Sequence, residues 1–280
     1  MKKIAIQGVP GSFHDIAAHK YFPNEEIELL CCNTFEEIFR HIKEDSNVIG
    51  MLAIENTIAG SLLHNYELLR DSGTTIIGEH KLRIKHSIMC LPEDDWDTLT
   101  EVNSHPVALQ QCREFLMHHS GLKVVETNDT AESAEAIRKG NLRGHAAICH
   151  RDVARMHDMK ILEEGIETNK HNFTRFLVVA DPWKADELKD RSKVNKANIV
   201  FSLPHSEGSL SQVLSIFSFH RINLTKIQSL PIIGREWEYM FYVDVMFNDY
   251  LRYKQSIDAV IPLTKELKIL GEYAEGESTL

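Results

Sequence analysis

Short apolar runs alternate with helical patterns over the first 165 residues of the chain. The run at 2–6 predicts a strand, and the continuous apolar run at 48–54 predicts a strand that is covered on both faces. Between them, the spacing of Phe13, Ile16 and Tyr21 predicts a helix. Strands that alternate with helices predict an α/β fold with parallel sheets, in which ligands bind at the carboxyl ends of the strands.

The segment 81–90 has a different pattern. Its apolar positions Leu82, Ile84 and Ile88 alternate with polar ones such as Lys81. Strict alternation is typical of a strand with one buried face. We therefore expect one half-exposed strand here that crosses between two lobes.

The last third of the chain is organised differently from the rest. Residues 181–196 are charged and poorly periodic, which predicts a linker. Residues 197–275 then show the order strand, helix, strand, strand, helix, strand. This βαββαβ order predicts a ferredoxin-like sandwich.

The overall charge limits the classes of partner. The 280 residues have a formal net charge of −10, which repels nucleic acid and anionic membranes. An anionic small molecule must therefore be held by a local cluster of cations or dipoles. No apolar stretch reaches the ~18 residues of a membrane span, and the five cysteines fit a reducing cytoplasm better than a disulfide framework. The fifteen histidines show no metal-binding spacing, so we expect a cytoplasmic protein without nucleic-acid, membrane or metal partners.

Four short stretches place polar residues where a strand ends or a helix begins. They are residues 55–57, 104–106, 129–130 and 172–176. Such positions offer an anion hydrogen-bonding side chains and the free N–H groups of a helix start. The alternative for the first three stretches is a helix cap without further function. The alternative for the fourth is an edge strand with one charged residue turned to solvent.

The fourth stretch favours a binding site most strongly. The planar guanidinium of Arg175 matches a carboxylate in bidentate fashion, and the hydroxyl of Thr174 supplies a neighbouring donor. In a regular strand these two side chains would point to opposite faces. Both can reach one ligand only where the strand is starting or bent, so we expect a site between a loop and a strand.

Several stretches, in their order along the chain, resemble the prephenate dehydratase family. They are GVPGSFHDIAA, IENTIAGS, SHPVALQQC, NDTAESAEAI and NFTRFLVV, and the later GSLSQVLSIFSFHRINLTKIQSLP resembles the family's ACT regulatory domain. The resemblance implies a two-lobed catalytic domain similar to a periplasmic binding protein over residues 1–180. Its lobes would be about 1–78 plus 163–180, and 79–162, followed by the linker at 181–196 and a ferredoxin-like ACT domain at 197–275.

The resemblance also implies an activity. Members of this family convert prephenate to phenylpyruvate, water and CO2 on the route to phenylalanine, and no metal or organic cofactor is implied. Two alternatives stay open. A related lyase that acts on arogenate would keep the same machinery, whereas a non-catalytic amino-acid sensor would have no need for Thr174 and Arg175.

Matching by motif assigns roles to residues of this chain. Thr174 matches the family's essential threonine, and we expect it to be catalytic together with Glu55 and Asn56. The expected substrate ligands are Arg175, Thr57, Ser104, Gln111, Thr130, Ala131 and Phe176. We hypothesise that Thr174 donates a hydrogen bond to the departing hydroxyl while Arg175 holds the carboxylate of the pyruvate side chain. Val107 departs from the glutamine that many members have at this position.

The ACT-like segment implies feedback inhibition by L-phenylalanine. The expected effector ligands are Gly208, Ser209, Leu210, Asn223, Leu224, Gln228 and Ser229. Gln228 and Leu230 stand where members usually have glutamate and arginine, so two charged partners are lost. ACT units pair their sheets edge to edge, and we therefore expect a homodimer or homotetramer. The alternative is a domain that serves assembly alone.

Overall fold

The computed structural model of the chain describes residues 1–276 and 278–279. The first segment of the chain begins a large sheet and carries helices on it. Its strands are β1 (Lys2–Gln7), β2 (Ile27–Cys32), β3 (Ile49–Asn56), β4 (Gly60–Ser61) and β5 (Thr75–Arg83). Its helices are α1 (Phe13–Tyr21), α2 (Phe35–Glu44) and α3 (Leu63–Asp71).

The second segment forms a separate sheet with the order β10-β6-β9-β7-β8. Its strands are β6 (Ser87–Cys90), β7 (Glu101–Ser104), β8 (Lys123–Glu126), β9 (His145–Cys149) and β10 (Lys160–Glu164). Its helices are α4 (Pro106–Gln111), α5 (Arg113–His118), α6 (Thr130–Gly140) and α7 (Asp152–Met156).

The chain passes between these sheets at residues 84–86, so the single strand predicted for 81–90 is wrong. The backbone N–H of Ile84 donates to the carbonyl of Asn172, and the N–H of His86 donates to the carboxylate of Glu167. These bonds leave no strand pairing at the crossing. The first strand ends before it and the second begins after it.

Strand β11 (Phe173–Ala180) returns to the first sheet and lies between β3 and β5, antiparallel to both. Strands β2 and β3 flank β1 in parallel. The first sheet is therefore mixed and not parallel throughout, because its central strand arrives after the second lobe is complete.

A helix, α8 (Pro182–Leu188), lies inside the segment that the sequence predicts as a linker. The carboxylate of Asp181 accepts a hydrogen bond from the N–H of Trp183, and Pro182 occupies the first turn. Both are helix-start signals. The segment predicted as a linker is thus helical over Pro182–Leu188, which the run of charged residues had obscured in the sequence.

The C-terminal unit has the βαββαβ order predicted from the sequence. Its strands are β12 (Lys196–Ser202), β13 (Asn223–Pro231), β14 (Tyr239–Met246) and β15 (Glu266–Tyr273), arranged as β13-β14-β12-β15. Its helices are α9 (Ser209–Phe219) and α10 (Tyr250–Val260), and a 3-10 turn at Ile261–Leu263 follows. The short strand β16 (Ser278–Thr279) pairs back onto β5. The prediction of two α/β lobes and a ferredoxin-like unit is confirmed.

The first lobe and the C-terminal unit share one sheet. Strand β15 pairs with β5 in parallel at Gly271 and Ile76, where a Cβ atom on the glycine would lie 2.3 Å from the carbonyl oxygen of Ile76. Only glycine permits so close an approach. Leu177 of β11 also lies in one buried apolar cluster with Val200 and Tyr242 of the C-terminal unit. The two units therefore have a continuous core.

Among the residues that the structure describes, no helix is both long and apolar enough to cross a membrane.

Candidate active site

A cavity of ≈ 270 Å³ opens between the two sheets. The first lobe contributes the apolar side chains of Ala53 and Phe176 and the polar ones of Asn56 and Thr174. The second lobe contributes His86, His105, Val107, Gln111, Asn128 and Thr130. The cavity therefore lies at the place that the sequence predicts for a ligand, at the ends of strands from two lobes.

Three helices begin at this cavity. Ser12 caps α1 by accepting from the N–H of Asp15, and the ring of His105 caps α4 by accepting from the N–H of Val107. Asp129 caps α6. The starts of helices carry partial positive charge and unpaired N–H groups, which favour anions.

None of the described residues that line the cavity is lysine or arginine. Asp129 also brings a negative charge, which the N–H groups of Ala131 and Glu132 offset at 2.7 and 3.1 Å. An anionic ligand would thus be held by helix starts and neutral donors.

The loop before α1 brings Ser12 to the cavity. Gly8 and Gly11 have φ angles of 103° and 87°, a conformation that favours glycine. The N–H of Gly11 donates to the carboxylate of Asp15 at 2.7 Å, which ties the loop to the helix that follows. Gly8 is also close to Asp129, because a Cβ atom on it would lie 3.1 Å from an oxygen of that carboxylate.

Asn56 and Thr174 form a hydrogen-bonded pair in the cavity wall. The Oδ1 atom of Asn56 accepts from the N–H groups of Ile58 and Ala59 at 3.0 and 2.9 Å, which fixes the orientation of the amide. Its Nδ2 atom lies 3.0 Å from Oγ1 of Thr174. The amide nitrogen can only donate, so the threonine oxygen accepts. The hydroxyl proton of Thr174 is then free to point at a ligand in the cavity.

Arg175 lies on the opposite face of β11 and outside the cavity. Its Nε atom donates to Glu79 at 2.7 Å, and its Nη1 atom donates to Asp244 of the C-terminal unit. A bulge follows Arg175 in the pairing with β3, yet Thr174 and Phe176 still face the cavity and Arg175 does not. Side chains therefore still alternate between the two faces of the strand at this point, and the bulge does not turn Arg175 toward the cavity. The structure therefore corrects the expectation that Thr174 and Arg175 share a ligand.

Glu55 and Thr57 do not line the cavity either. Glu55 forms an ion pair with Lys226 of the C-terminal unit at 2.8 Å. The hydroxyl of Thr57 lies 3.0 Å from the carbonyl of His171 and 3.0 Å from the N–H of Phe173, so it holds the chain where β11 begins. Of the predicted triplet, the structure brings only Asn56 into the cavity wall.

Of the substrate ligands predicted in the second lobe, two line the cavity and two do not. Gln111 and Thr130 line the cavity. Ser104 is fully buried and donates to the carbonyl of Ile148, and Ala131 is buried beneath the start of α6. Ser104 and Ala131 thus support the cavity wall from behind.

The family model of prephenate dehydratase matches residues 4–183, which include every described residue of the cavity wall. The chain belongs to the prephenate dehydratase family. The match ends within α8, so it covers both lobes and not the C-terminal unit.

Curated proteins related to this member of the prephenate dehydratase family match nearly all of the chain. It is 35% identical to arogenate dehydratase 1 of Petunia hybrida, over 97% of this chain and 66% of that protein. It is 30% identical to the bifunctional chorismate mutase/prephenate dehydratase of Enterobacter agglomerans, over 97% of this chain and 70% of that protein. The chain spans about two thirds of the length of these relatives.

Solved structures of similar proteins agree in fold. The prephenate dehydratase of Arthrobacter aurescens in complex with L-Phe has a TM-score of 0.86 at 23% identity, covering 98% of this chain and 90% of that one. A protein described as a novel type of quorum quenching acylase, GqqA, has a TM-score of 0.85 at 25% identity, covering 98% of both chains. The fold of this family thus includes a protein described by a different activity.

Three histidines line the cavity among the described residues, and none was predicted as a site residue; two of them, His14 and His86, also lie outside the four polar stretches singled out from the sequence. Burial lowers the pKa of His14 to about 3, and its Nε2 atom accepts from the N–H of Ala53 at 3.3 Å. Burial also lowers the pKa of His86, whose Nε2 atom lies 2.9 Å from Oε1 of Gln111. Both imidazoles are therefore neutral at physiological pH. The one signal for His86 in the sequence is that it falls on the apolar side of its alternating segment.

The predicted effector residues are spread over the C-terminal unit. A second cavity, of ≈ 140 Å³, lies at the start of α9, and Ser209 and Leu210 line it together with Trp237 and Tyr239. Gly208 caps this helix with a φ of 76°. The remaining predicted ligands, Asn223, Leu224, Gln228 and Ser229, all lie in β13 and do not line this cavity.

Proposed function

We propose that the cavity between the lobes converts prephenate to phenylpyruvate, water and CO2 for the synthesis of phenylalanine. The Asn56–Thr174 pair carries this proposal, because it leaves the hydroxyl proton of Thr174 free to donate to a ligand in a cavity where three helices begin. Membership of the prephenate dehydratase family supports it.

In this reaction two bonds break as the ring becomes aromatic. The C–O bond to the ring hydroxyl breaks, and the C–C bond to the ring carboxylate releases CO2. The hydroxyl leaves with hydroxide character and becomes water by gaining one proton from solvent. Thr174 donates a hydrogen bond to this leaving oxygen and so stabilises the charge that develops on it. A threonine hydroxyl is a weak acid, so positioning and electrostatics supply most of the rate.

The two carboxylates of prephenate need different surroundings. The helix starts at Ser12 and Thr130 would bind the carboxylate of the pyruvate side chain, the role first expected of Arg175. The apolar wall formed by Ala53, Ile84 and Phe176 would leave the ring carboxylate poorly solvated. Poor solvation favours the loss of its charge as CO2.

Arogenate is a second candidate substrate. It carries an amino group in place of the keto oxygen, and the carboxylate of Asp129 in the cavity wall would pair with this ammonium. The relative from Petunia hybrida is an arogenate dehydratase, which gives the same candidate independent support.

Turnover of prephenate and arogenate, measured side by side, tests the proposal. We expect phenylpyruvate from prephenate with the higher kcat/KM. A higher kcat/KM for arogenate would make the chain an arogenate dehydratase. Binding of both compounds without turnover of either would point to a sensor and would sink the enzymatic proposal.

We further propose that L-phenylalanine binds the C-terminal unit and inhibits turnover. The cavity at Ser209 and Leu210 supports this, as does the L-Phe bound to the relative from Arthrobacter aurescens. Leu230, where members usually have arginine, is buried in the core that the two units share, so it offers no polar group. Calorimetry with L-phenylalanine that showed neither heat nor a change in turnover would contradict the proposal.

Assembly and location stay predictions. Strand β13 pairs with β14 alone among the described strands, so its other edge can accept a second copy and form a homodimer or homotetramer. Light scattering of the purified chain measures this directly. A cytoplasmic location is still an expectation from the cysteine pattern.

A further inference from the structure

Arg175 belongs to a group of buried charges between the first lobe and the C-terminal unit. Its guanidinium donates through Nε to Glu79 at 2.7 Å, through Nη1 to Asp244, and through Nη2 to the hydroxyl of Tyr273 at 3.2 Å. The side chain of Arg175 is only 10% exposed. All three nitrogens of the guanidinium are thus engaged within the protein.

Partners from the C-terminal unit complete the group. Lys196 donates to both carboxylate oxygens of Glu79, at 2.8 and 3.0 Å. Asn198 donates to the second oxygen of Asp244 and accepts from the hydroxyl of Tyr273. The carboxylates of Glu79 and Asp244 therefore each bind Arg175 on one side and a residue of the C-terminal unit on the other.

A second ion pair lies beside the first group. Lys226 of β13 binds Glu55 of β3 at 2.8 Å and donates to the hydroxyl of Ser61 at 2.8 Å. Glu55 also lies 3.9 Å from Nη1 of Arg175. We call the whole set the junction cluster; its members are Glu55, Glu79, Arg175, Lys196, Asn198, Lys226, Asp244 and Tyr273.

The junction cluster and the cavity lie on opposite faces of the same two strands. Thr174 pairs with Asn56 across β11 and β3, and Arg175 pairs with Glu55. Thr174 and Asn56 are thus the direct chain neighbours of Arg175 and Glu55. Any movement of Arg175 or Glu55 along or across the strands must move Thr174 or Asn56 as well.

We propose that Arg175 is a positioning residue, through which the C-terminal unit sets the place of Thr174 in the cavity. The inference rests on the proposed function, because it assigns Thr174 to the reaction. It replaces the role of substrate ligand, since a guanidinium held by Glu79, Asp244 and Tyr273 has no path to the cavity.

Physical chemistry supports a rigid connection. Arginine holds carboxylates in a planar and directional geometry that lysine cannot reproduce. Removal of one partner of a buried ion pair leaves an uncompensated charge and forces rearrangement. A shift of about 1 Å in a catalytic group costs roughly a hundredfold in rate, so a small change at the cluster is sufficient to alter turnover.

The test compares Asp244→Asn with Asp94→Asn in the full-length protein. Asp94 is a matched control, since it is a buried carboxylate that Arg143 binds at 2.9 Å in the second lobe, away from the cavity wall. We expect Asp244→Asn to lower kcat for prephenate about tenfold with KM within about threefold of wild type, and Asp94→Asn to leave kcat unchanged. Equal kcat values in the two variants would overturn the proposal.

Arg175→Lys distinguishes between a positioning role and a substrate-binding role for the arginine. A positioning role predicts a lower kcat at similar KM, as in Asp244→Asn. A substrate ligand predicts a large rise in KM instead, together with wild-type behaviour of Asp244→Asn, and this result would also overturn the proposal. Should either variant fail to fold, Tyr273→Phe removes the hydroxyl that accepts from Nη2 of Arg175 and donates to Asn198 but keeps every charge of the cluster, and we expect a decrease in kcat of about threefold. An unchanged kcat in Tyr273→Phe would then count against the proposal.

Hydrogen exchange gives a readout that does not depend on the reaction. We expect the backbone amides of residues 174–176 to exchange faster in Asp244→Asn than in wild type and in Asp94→Asn. Faster exchange in a protein that converts neither prephenate nor arogenate would refute the proposed function, whereas the mechanical coupling between Asp244 and the backbone of β11 would be supported. Unchanged exchange at these amides in Asp244→Asn would refute the positioning role, even if the wild-type protein converts prephenate.

Discussion

The two faces of the β3–β11 strand pair are built from opposite kinds of residue. The face toward the cavity carries Asn56 and Thr174, which are neutral, and no described lysine or arginine lines that cavity. The face toward the C-terminal unit carries Glu55 and Arg175, which belong to a cluster of three cations and three anions within the described residues. The two faces are one residue apart along each strand.

This difference shows how a protein can place ionised side chains one residue away from a cavity without exposing them to the ligand. The proposed substrate, prephenate, is a dianion that would bring its own charge into the cavity, and neutral donors with helix starts can stabilise charge that develops during such a reaction. Permanent charges on the other face are satisfied by one another. Since side chains alternate along a strand, a slip of one residue in register would exchange the two sets.

The charge states of titratable side chains also differ between the two faces, because a lowered pKa leaves a histidine neutral and a carboxyl group charged. In the cavity, burial lowers the pKa of His14 and of His86, which keeps both neutral. In the cluster, burial alone would raise the pKa of Glu79, but the charges of Arg175 and Lys196 lower it below its ordinary value. Glu79 therefore stays ionised where an isolated buried carboxyl would be neutral.

Replacing the cavity hydroxyl should have the largest effect. We expect Thr174→Ala to lower kcat and kcat/KM by about 10²–10³, because a donor to the leaving oxygen acts only in the transition state. Phenylpyruvate formation measures this. Thr264→Ala is the matched control, since its hydroxyl bonds only to the carbonyl of Ile261 in the C-terminal unit. Turnover of Thr174→Ala at the wild-type rate would remove Thr174 from the reaction.

A charge placed on the neutral face should have the next largest effect. We expect Asn56→Asp to reduce kcat/KM roughly tenfold to a hundredfold, because a carboxylate there would accept the proton of Thr174 and repel the substrate. Steady-state kinetics with prephenate check this, with Asn141→Asp at the exposed end of α6 as control. If Asn56→Asp matched this control, the electrostatic contrast between the faces would have no bearing on turnover.

The neutral form of His14 in the folded protein predicts a loss of stability in acid. Its pKa is about 3 in the folded protein and about 6.5 when unfolded. Between these values the unfolded state binds one more proton, so the free energy of unfolding falls as pH falls, by up to about 1.4 kcal/mol per pH unit. Above pH ~6.5 this contribution is fully present.

Urea denaturation at a series of pH values measures this slope in wild type and in His14→Gln. We expect the slope between pH 6.5 and 3 to be shallower in His14→Gln. His118→Gln, at an exposed position on α5, should keep the wild-type slope. Identical slopes for His14→Gln and wild type would mean that His14 is accessible to protons in the folded protein.

A buried residue behind the cavity wall should give the smallest effect. Ser104 donates to the carbonyl of Ile148 and does not line the cavity. We expect Ser104→Ala to lower the free energy of unfolding by about 1 kcal/mol and to leave KM for prephenate unchanged. A strong rise in KM would restore Ser104 as a substrate ligand, as the family resemblance first implied.

Local patterns were sufficient to predict much of the fold. The apolar run at 48–54 marked β3, and the Asp129–Thr130 cap marked the start of α6. The order of elements in residues 197–275 was also clear, because each element has its own hydrophobic period. The same signals marked Asn56 at the end of β3 and Thr130 at the start of α6, and both line the cavity, as does Gln111, which the family motif had suggested.

The partners of Arg175 had no local signal in the sequence. Its partners Glu79 and Asp244 are 96 and 69 residues away in the chain, and only the folded structure brings them to it. Alternation along the strand did point to the split from Thr174, but the motif suggested a shared ligand. The break at residues 84–86 was hidden for a similar reason, since Asn172 and Glu167, which bind its N–H groups, are far along the chain.

The pairing of β15 with β5 determines whether the protein can be divided. A chain cut before β12 would lose β15 and β16, and β5 would present an unpaired edge over Thr75–Arg83. Such an edge is a template for aggregation. The cut would also leave Arg175 and Glu79 without Asp244 and Lys196. The C-terminal unit is therefore a structural component of the first lobe, and a shortened chain is a poor reference state for studies of its regulation.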